Sequence, residues 1–212
     1  MATLKTKRAK ILDDTQFREI LGRLGEAQHP ERDRVIFILS FKAGLRSQEI
    51  AGLDWEDVTD AKGNIGAPAP GYDSRGRQVN VPSLFIPGDI AKKGRERSVA
   101  LHPDLIKALR ALQAVSEKTG PKDPVITGEA GQRLTPNYLA QFFLRRFRKF
   151  GMQGASSHSG RRTFITKAAQ MSRESEGVSL RDVQQWAGHA FLSTTEAYIE
   201  PSPSAHALIS RL

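Results

Sequence analysis

Four apolar stretches with helical spacing carry the same punctuation at both ends, and that bracketing restricts the chain to a largely helical fold. "PERDRVIFILSFKA" begins at Pro30 and is followed by Gly44, while "PDLIKALRALQAVSEK" begins at Pro103 and stops at Gly120-Pro121. "TPNYLAQFFLRRFRKF" begins on a Thr-Pro pair and stops at Gly151, and "SLRDVQQWA" begins on Ser179 and stops at Gly188. A proline in the first turn loses no helical hydrogen bond, and a glycine takes the left-handed conformation that ends a helix. Shorter helices fit the rest. Asp13, Asp14 and Thr15 offer a cap before "QFREILGRL", where Phe17, Ile20, Leu21 and Leu24 share one stripe. "SQEIAGL", "RRTFITKAAQM", "TTEAYI" and the terminal "SAHALISRL" follow the same pattern. Residues 58–101 break it. "DAKGNIGAPAPGYDSRGRQVN" reads as turns and loop, with "SLFI" (83–86) and "RERSVAL" (95–101) as two short strands joined through "PGDIAKKG". The expectation is a mainly α domain with a small antiparallel β-sheet insertion.

The 212 residues suit one domain, and 39% hydrophobic residues suffice for a real core. Residues 1–10 carry Lys5, Lys7, Arg8 and Lys10 with almost nothing apolar and read as a flexible basic tail ahead of a single domain at 11–212. The net charge of +9 favours polyanionic partners, nucleic acid first. With no cysteine, disulfide scaffolds, thiolate zinc sites and cysteine nucleophiles are excluded. No stretch reaches the roughly 18 to 20 apolar residues that span a bilayer. "MATLKTKRAK" has no apolar run behind it and does not read as a secretory signal. A cytoplasmic, nucleoid-associated protein is the expectation. In "RRFRKF", Arg145, Arg146, Arg148 and Lys149 alternate with Phe147 and Phe150. The phenylalanines suit a core, and the basic face is either solvated or laid on DNA phosphates.

"HSGRRTF" places His158, Arg161 and Arg162 where an apolar helix begins. Three distant stretches complement it. "KAGLRSQEIAGLDW" carries Arg46 and Glu49, "IAKKGRERSVAL" carries Lys92 and Lys93, and "WAGHAFLSTTEAYIEP" carries His189 and Tyr198. Each alone has an ordinary reading as a capping arginine, solvated lysines, a core histidine or a half-buried tyrosine. Together, in this order and at these spacings, they resemble the catalytic domain of the tyrosine recombinases, the phage-integrase family. The resemblance covers about residues 12 to 204. It rests on Gly44-Leu45-Arg46 with Glu49, Lys92 before a strand, His158-Ser159-Gly160-Arg161, and Gly188-His189 followed by Tyr198.

The resemblance implies cleavage and rejoining of double-stranded DNA through a 3′-phosphotyrosine, with Arg46, Lys92, His158, Arg161, His189 and Tyr198 as the catalytic set and Glu49 in support. The residue types suit that chemistry. Phosphoryl transfer needs charge stabilised on nonbridging oxygens, by metal ions or fixed cations, and no carboxylate cluster for two metals is evident. Arg46 and Arg161 would clamp the phosphate with planar forks that stay charged. His189 would add a donor, and His158 would accept or relay the tyrosine proton. A phenol is a weak nucleophile until deprotonated, and neighbouring positive charge favours the phenolate. The family pattern gives the leaving 5′-oxygen its proton from Lys92, with Lys93 as the alternative. His158 and Arg161 would share a helical face at i, i+3, leaving Arg162 for a backbone phosphate or for packing. Lys93, Arg145, Arg146, Arg148, Lys149 and Arg162 form the expected DNA-binding set. No metal and no cofactor is expected, and the phosphodiester energy kept in the tyrosine bond removes any need for ATP.

Members of this family usually carry an N-terminal helical domain that closes a clamp on DNA. With 45 residues ahead of Arg46 already used by catalytic-domain helices, that core-binding domain is expected to be absent, and an accessory protein is one way to supply it. A strand-exchange enzyme would act as a homotetramer on two sites, its last helix packing either at home or on a neighbour. The rival readings are a type IB topoisomerase-like nicking and resealing enzyme working alone, and a non-catalytic DNA-binding relative. A zinc site from His158 and His189 lacks suitable ligand spacing.

Overall fold

The computed structural model describes residues 9–72, 77–174 and 178–199. Most of the basic tail (residues 1–8) and the terminal "SAHALISRL" lie outside the described residues. Nine helices and one sheet occur among the described residues: α1 (Asp14–Leu24), α2 (Pro30–Lys42), α3 (Ser47–Gly52), α4 (Trp55–Val58), β1 (Ala67–Tyr72), β2 (Gln78–Ile86), β3 (Arg97–Ala100), α5 (Pro103–Val115), α6 (Pro136–Lys149), α7 (Ser159–Glu174), α8 (Leu180–Ala187) and α9 (Leu192–Glu196). The proline, Asp13, Thr135 and Ser179 starts stand where the sequence places them. Asp13 accepts from the Gln16 amide while the Gln16 side chain returns the bond, closing a capping box.

α2 is the central helix, buried continuously from Val35 to Phe41, and packs against α1, α3, α5 and α7. α6 contributes Leu139, Phe142, Phe143 and Phe147 to the core, and the Phe37 ring meets those of Phe142, Phe143 and Phe147 edge-on at 5.0 to 5.9 Å. Such edge-to-face contacts add to what area burial alone supplies. A second, smaller cluster lies between α7 and the C-terminal helices: Ile165, Ala168, Val183 and Ala187, flanked by Phe164, Val178, Trp186 and Tyr198.

The β insertion is larger than the sequence predicts. β1, β2 and β3 form an antiparallel sheet in that order, so residues 67–72 and 78–82 are strand rather than loop. Pro68 and Pro70 masked β1, yet β1 is an edge strand, where a missing N–H is tolerated. α7 begins at Ser159, two residues earlier than expected, because the Ser156 amide is held by Ser159 Oγ and the Ser159 amide by the Ser156 carbonyl. α9 starts and stops earlier than "TTEAYI" predicts. The amides of Tyr198 and Ile199 bond three residues back in a tight turn, so Tyr198 sits just beyond the helix.

Candidate active site

Glu49 organises one side of the site. Its carboxylate is fully buried in α3, accepts the Arg46 amide at 2.8 Å and Arg46 Nη1 at 3.0 Å, and is gripped by both terminal nitrogens of Arg97 at 3.0 Å. Burial alone would raise its pKa. The hydrogen bonds and charge of Arg97, helped by Arg46, outweigh that and hold the carboxyl below its ordinary value. Arg97 also donates from Nε to the Trp186 carbonyl at 3.0 Å, tying β3 to the end of α8. The chain turns there through Gly188, at φ +58. A Cβ at this residue would lie 3.0 Å from Arg97 Nη1, so the left-handed backbone favours glycine and the tight space adds to the preference.

Arg161 makes a parallel connection. It is 5% exposed and donates from Nη1 to the Gly44 carbonyl at 2.6 Å and from Nη2 to the Ala187 carbonyl at 2.5 Å. The stretch around Arg46 is thus held against the stretch around His189, while each terminal nitrogen keeps a second hydrogen for a ligand. Burial, then the like charge of Arg46, press its guanidinium down to about 9, still protonated at neutral pH. His189 is buried beside Arg161, Arg46 and Arg97. Burial first, then those three charges, lower it to about 4, so its ring is neutral at pH 7. Its Nδ1 lies 2.9 Å from Thr195 Oγ1, and its ring stacks on that of Tyr198 with centroids 5.7 Å apart.

Tyr198 lines an open pocket of about 480 Å³ with Ala9, Ser156, His158, Arg161, Arg162, Thr194 and Ala197 of its own chain. Five expected site residues therefore converge: His158, Arg161 and Tyr198 on the pocket wall, with Arg46 close enough to act electrostatically on Arg161 and His189 close enough to feel the charge of Arg161. His158 is exposed and stands immediately before α7, three positions ahead of Arg161, and both line the same pocket. Its carbonyl caps the turn by accepting the Arg162 amide. Lys92 does not join them. It is exposed on a 3₁₀ turn, Lys92–Gly94, in which Lys93 has φ +65, the one positive φ outside glycine among the described residues. Gly94 of that turn lines a second groove, whose opposite wall is Arg181, Gln184, Gln185, Gly188 and His189.

Two residues of the expected DNA-binding set have protein partners instead. Arg146 pairs with the buried Asp33 at 2.6 Å, and Arg162 donates to the Ala9 carbonyl, fastening the chain at Ala9 to α7. Arg148 and Lys149 are exposed, and the Arg145 guanidinium lies over the Tyr138 ring at 5.4 Å. Three contributors carry no motif in the sequence: Arg97, Thr195 and Ala9. Arg97 had a signal, since the two-residue period of a strand puts it on the same buried face as Val99. Thr195 and Ala9 had none.

Fixed cations and a neutral imidazole around a tyrosine form a domain able to hold a phosphate diester beside a phenolic nucleophile. The chain belongs to the phage integrase family, whose family model matches residues 10–204. It is 28% identical over 198 residues to tyrosine recombinase XerC of Myxococcus xanthus, covering 90% of this chain and 54% of that protein. To the XerC of Thermodesulfovibrio yellowstonii it is 26% identical over 204 residues, covering 93% and 60%. The chain thus spans between half and two thirds of the length of these relatives. The fold is that of XerA recombinase (TM-score 0.65, 19% identity, 95% of this chain and 64% of that one). It is likewise that of the Tn1549 transposon integrase in complex with transposon right end DNA (TM-score 0.69, 17% identity, 98% and 67%).

Proposed function

We propose that this chain is the strand-cleaving part of a site-specific DNA recombinase, acting through a 3′-phosphotyrosyl intermediate at Tyr198. The observation that carries the reading is the shared pocket: Tyr198 lies beside Arg161 and His158 of its own chain, with neutral His189 stacked on its ring. Tyr198 Oη attacks the scissile phosphorus, and the P–O5′ bond breaks. The phenolic proton passes to His158, and the departing 5′-oxygen takes a proton from Lys92. Arg46, Arg161 and His189 donate to the nonbridging oxygens as charge builds on them. One phosphodiester is exchanged for another, so attack by a 5′-hydroxyl reverses the step without a nucleotide. Lys92 suits its role because its turn borders the groove that has His189 in its wall, within reach of DNA lying across both openings. Lys93, Arg145, Arg148 and Lys149 supply phosphate contacts along the duplex. Four copies on two sites would complete strand exchange.

The test is covalent trapping. The protein is incubated in EDTA with a diverse pool of nicked duplexes, denatured, and assayed for DNA attached to protein, with Tyr198→Phe alongside. An adduct that disappears in Tyr198→Phe is expected, and sequencing the trapped DNA gives the site. Salt-sensitive binding with no adduct from any duplex would replace this reading with that of a DNA-binding module.

A further inference from the structure

We infer that Thr195 is a positioning residue for His189: its hydroxyl donates to Nδ1 and thereby fixes the imidazole with its proton on Nε2. The inference deepens the proposed cleavage reading and rests on it only for what Nε2–H binds, a nonbridging oxygen of a DNA backbone phosphate.

The direction of this hydrogen bond follows from what each partner lacks. Thr195 has no exposed surface, and its Oγ1 meets His189 Nδ1 at 2.9 Å. Among the described residues the hydroxyl makes no other hydrogen bond. If Nδ1 carried the proton and donated, the threonine O–H would be buried with no acceptor, whereas a hydroxyl that donates leaves only lone pairs under-used. The first arrangement is the costlier. The ring has one proton to place, because burial and the charges of Arg161, Arg46 and Arg97 keep it neutral. With Nδ1 accepting, that proton sits on Nε2.

The ring's freedom is also restricted. The Tyr198 ring stacks on one face, and the backbone of His189 is held on both sides by Gln184: the His189 amide donates to the Gln184 carbonyl at 3.0 Å, and Gln184 Nε2 donates to the His189 carbonyl at 3.2 Å. His189 is therefore a fixed neutral donor with no base to offer, since its one lone-pair nitrogen is occupied. The proton of Tyr198 is left to His158, the other imidazole of the cluster, which lies on the pocket wall. A threonine six residues after a histidine and three before a tyrosine thus ties the donor and the nucleophile to the same short helix.

Long-range ¹H–¹⁵N spectra of the histidine side chains in the free protein at neutral pH test this, with the His189 ring assigned by its loss in His189→Gln. The expected result is a proton on Nε2 and an Nδ1 resonance in the range of a hydrogen-bond acceptor. In Thr195→Val, nearly the same shape without the hydroxyl, Nδ1 moves to the range of an unbonded nitrogen, and Thr195→Ser restores it. A proton on Nδ1 in the wild type, or an Nδ1 resonance unmoved by Thr195→Val, overturns the inference. The wild-type tautomer decides it even where the valine variant fails to fold. These spectra need no DNA, so a protein that forms no adduct in the trapping assay would remove the cleavage reading and leave the tautomer result to be judged separately. In a cleaving protein the rate of adduct formation falls about tenfold in Thr195→Val and returns in Thr195→Ser, while noncovalent DNA binding is unmoved. An unchanged rate overturns the positioning role.

Discussion

At Glu49 a single carboxylate holds two arginines, one of them expected to touch phosphate and the other buried behind it. Losing one partner of a buried ion pair leaves an uncompensated charge and costs about 3–5 kcal/mol, whereas replacing both by apolar groups is often close to neutral. Arg97→Met is therefore expected to destabilise the protein on that scale, and Arg97→Met with Glu49→Leu to recover most of the loss. Thermal or denaturant unfolding of the wild type, both single variants and the double variant checks this, and additive losses would contradict it. The double variant would still trap no DNA, because the main chain and guanidinium of Arg46 have lost the carboxylate that aims them. The sequence makes Arg46, Glu49, His158, Arg161, His189 and Tyr198 legible because each stands in a short motif whose neighbours are local. Arg97 is less legible: its two partners lie 48 and 89 residues away, and nothing in "RERSVAL" beyond strand alternation hints that an arginine points inward. Thr195 is harder still, since only the folded turn brings a hydroxyl to Nδ1.

The elements carry two further expectations. In the short helix α4, Asp57 accepts the Asp54 amide at 2.9 Å. Burial, reinforced by the charges of Asp54, Glu56 and Asp89, outweighs that bond and raises its carboxyl to about 6 from an ordinary 3.8. The folded state thus binds this proton more tightly than the unfolded chain. Its contribution is fully present below pH 3.8 and is lost as pH rises through about 6. Asp57→Asn keeps an acceptor for Asp54 and carries no charge, so the variant should gain on the wild type by about 2–3 kcal/mol between pH 4 and 7. Parallel denaturation curves across that range would show that the shift is absent. Where α2 meets α7, a Cβ on Gly160 would lie 2.3 Å from Ser40 Oγ and 2.6 Å from the Phe41 ring. Gly160→Ala should therefore cost about 1–3 kcal/mol, and pairing it with Ser40→Gly should return part of that. This helix pair was readable from its apolar spacing. Strand β1 was not, because Ala, Pro and Gly make it through pairing with β2 rather than through any preference of their own.

At the scale of the whole molecule the residues proposed for cleavage straddle two cores of unequal size. Arg46 and Glu49 belong to helices anchored in the large cluster around α2, while His189 and Tyr198 ride on the small cluster of Ile165, Ala168, Val183 and Ala187. Few buried apolar contacts mean a low free energy of local opening. Besides the packing of α2 on α7, the two units are joined by Arg161, bonded to Gly44 and Ala187, and Arg97, bonded to Glu49 and Trp186. Under the proposed cleavage reading, this arrangement would let the segment of Tyr198 move relative to Arg46, which suits a reaction in which the tyrosine first joins and later releases a DNA end. Amides of α8 and α9 should then exchange with deuterium well before those of α2 and α6. Val183→Ala removes two methyl groups from the centre of the small cluster and should cost about 2 kcal/mol. That cost should appear as faster exchange confined to α8, α9 and the turn bearing His189, with α2 and α6 unchanged. Uniform acceleration across all helices would mean that the two clusters unfold together, and that Tyr198 moves only when the whole domain does.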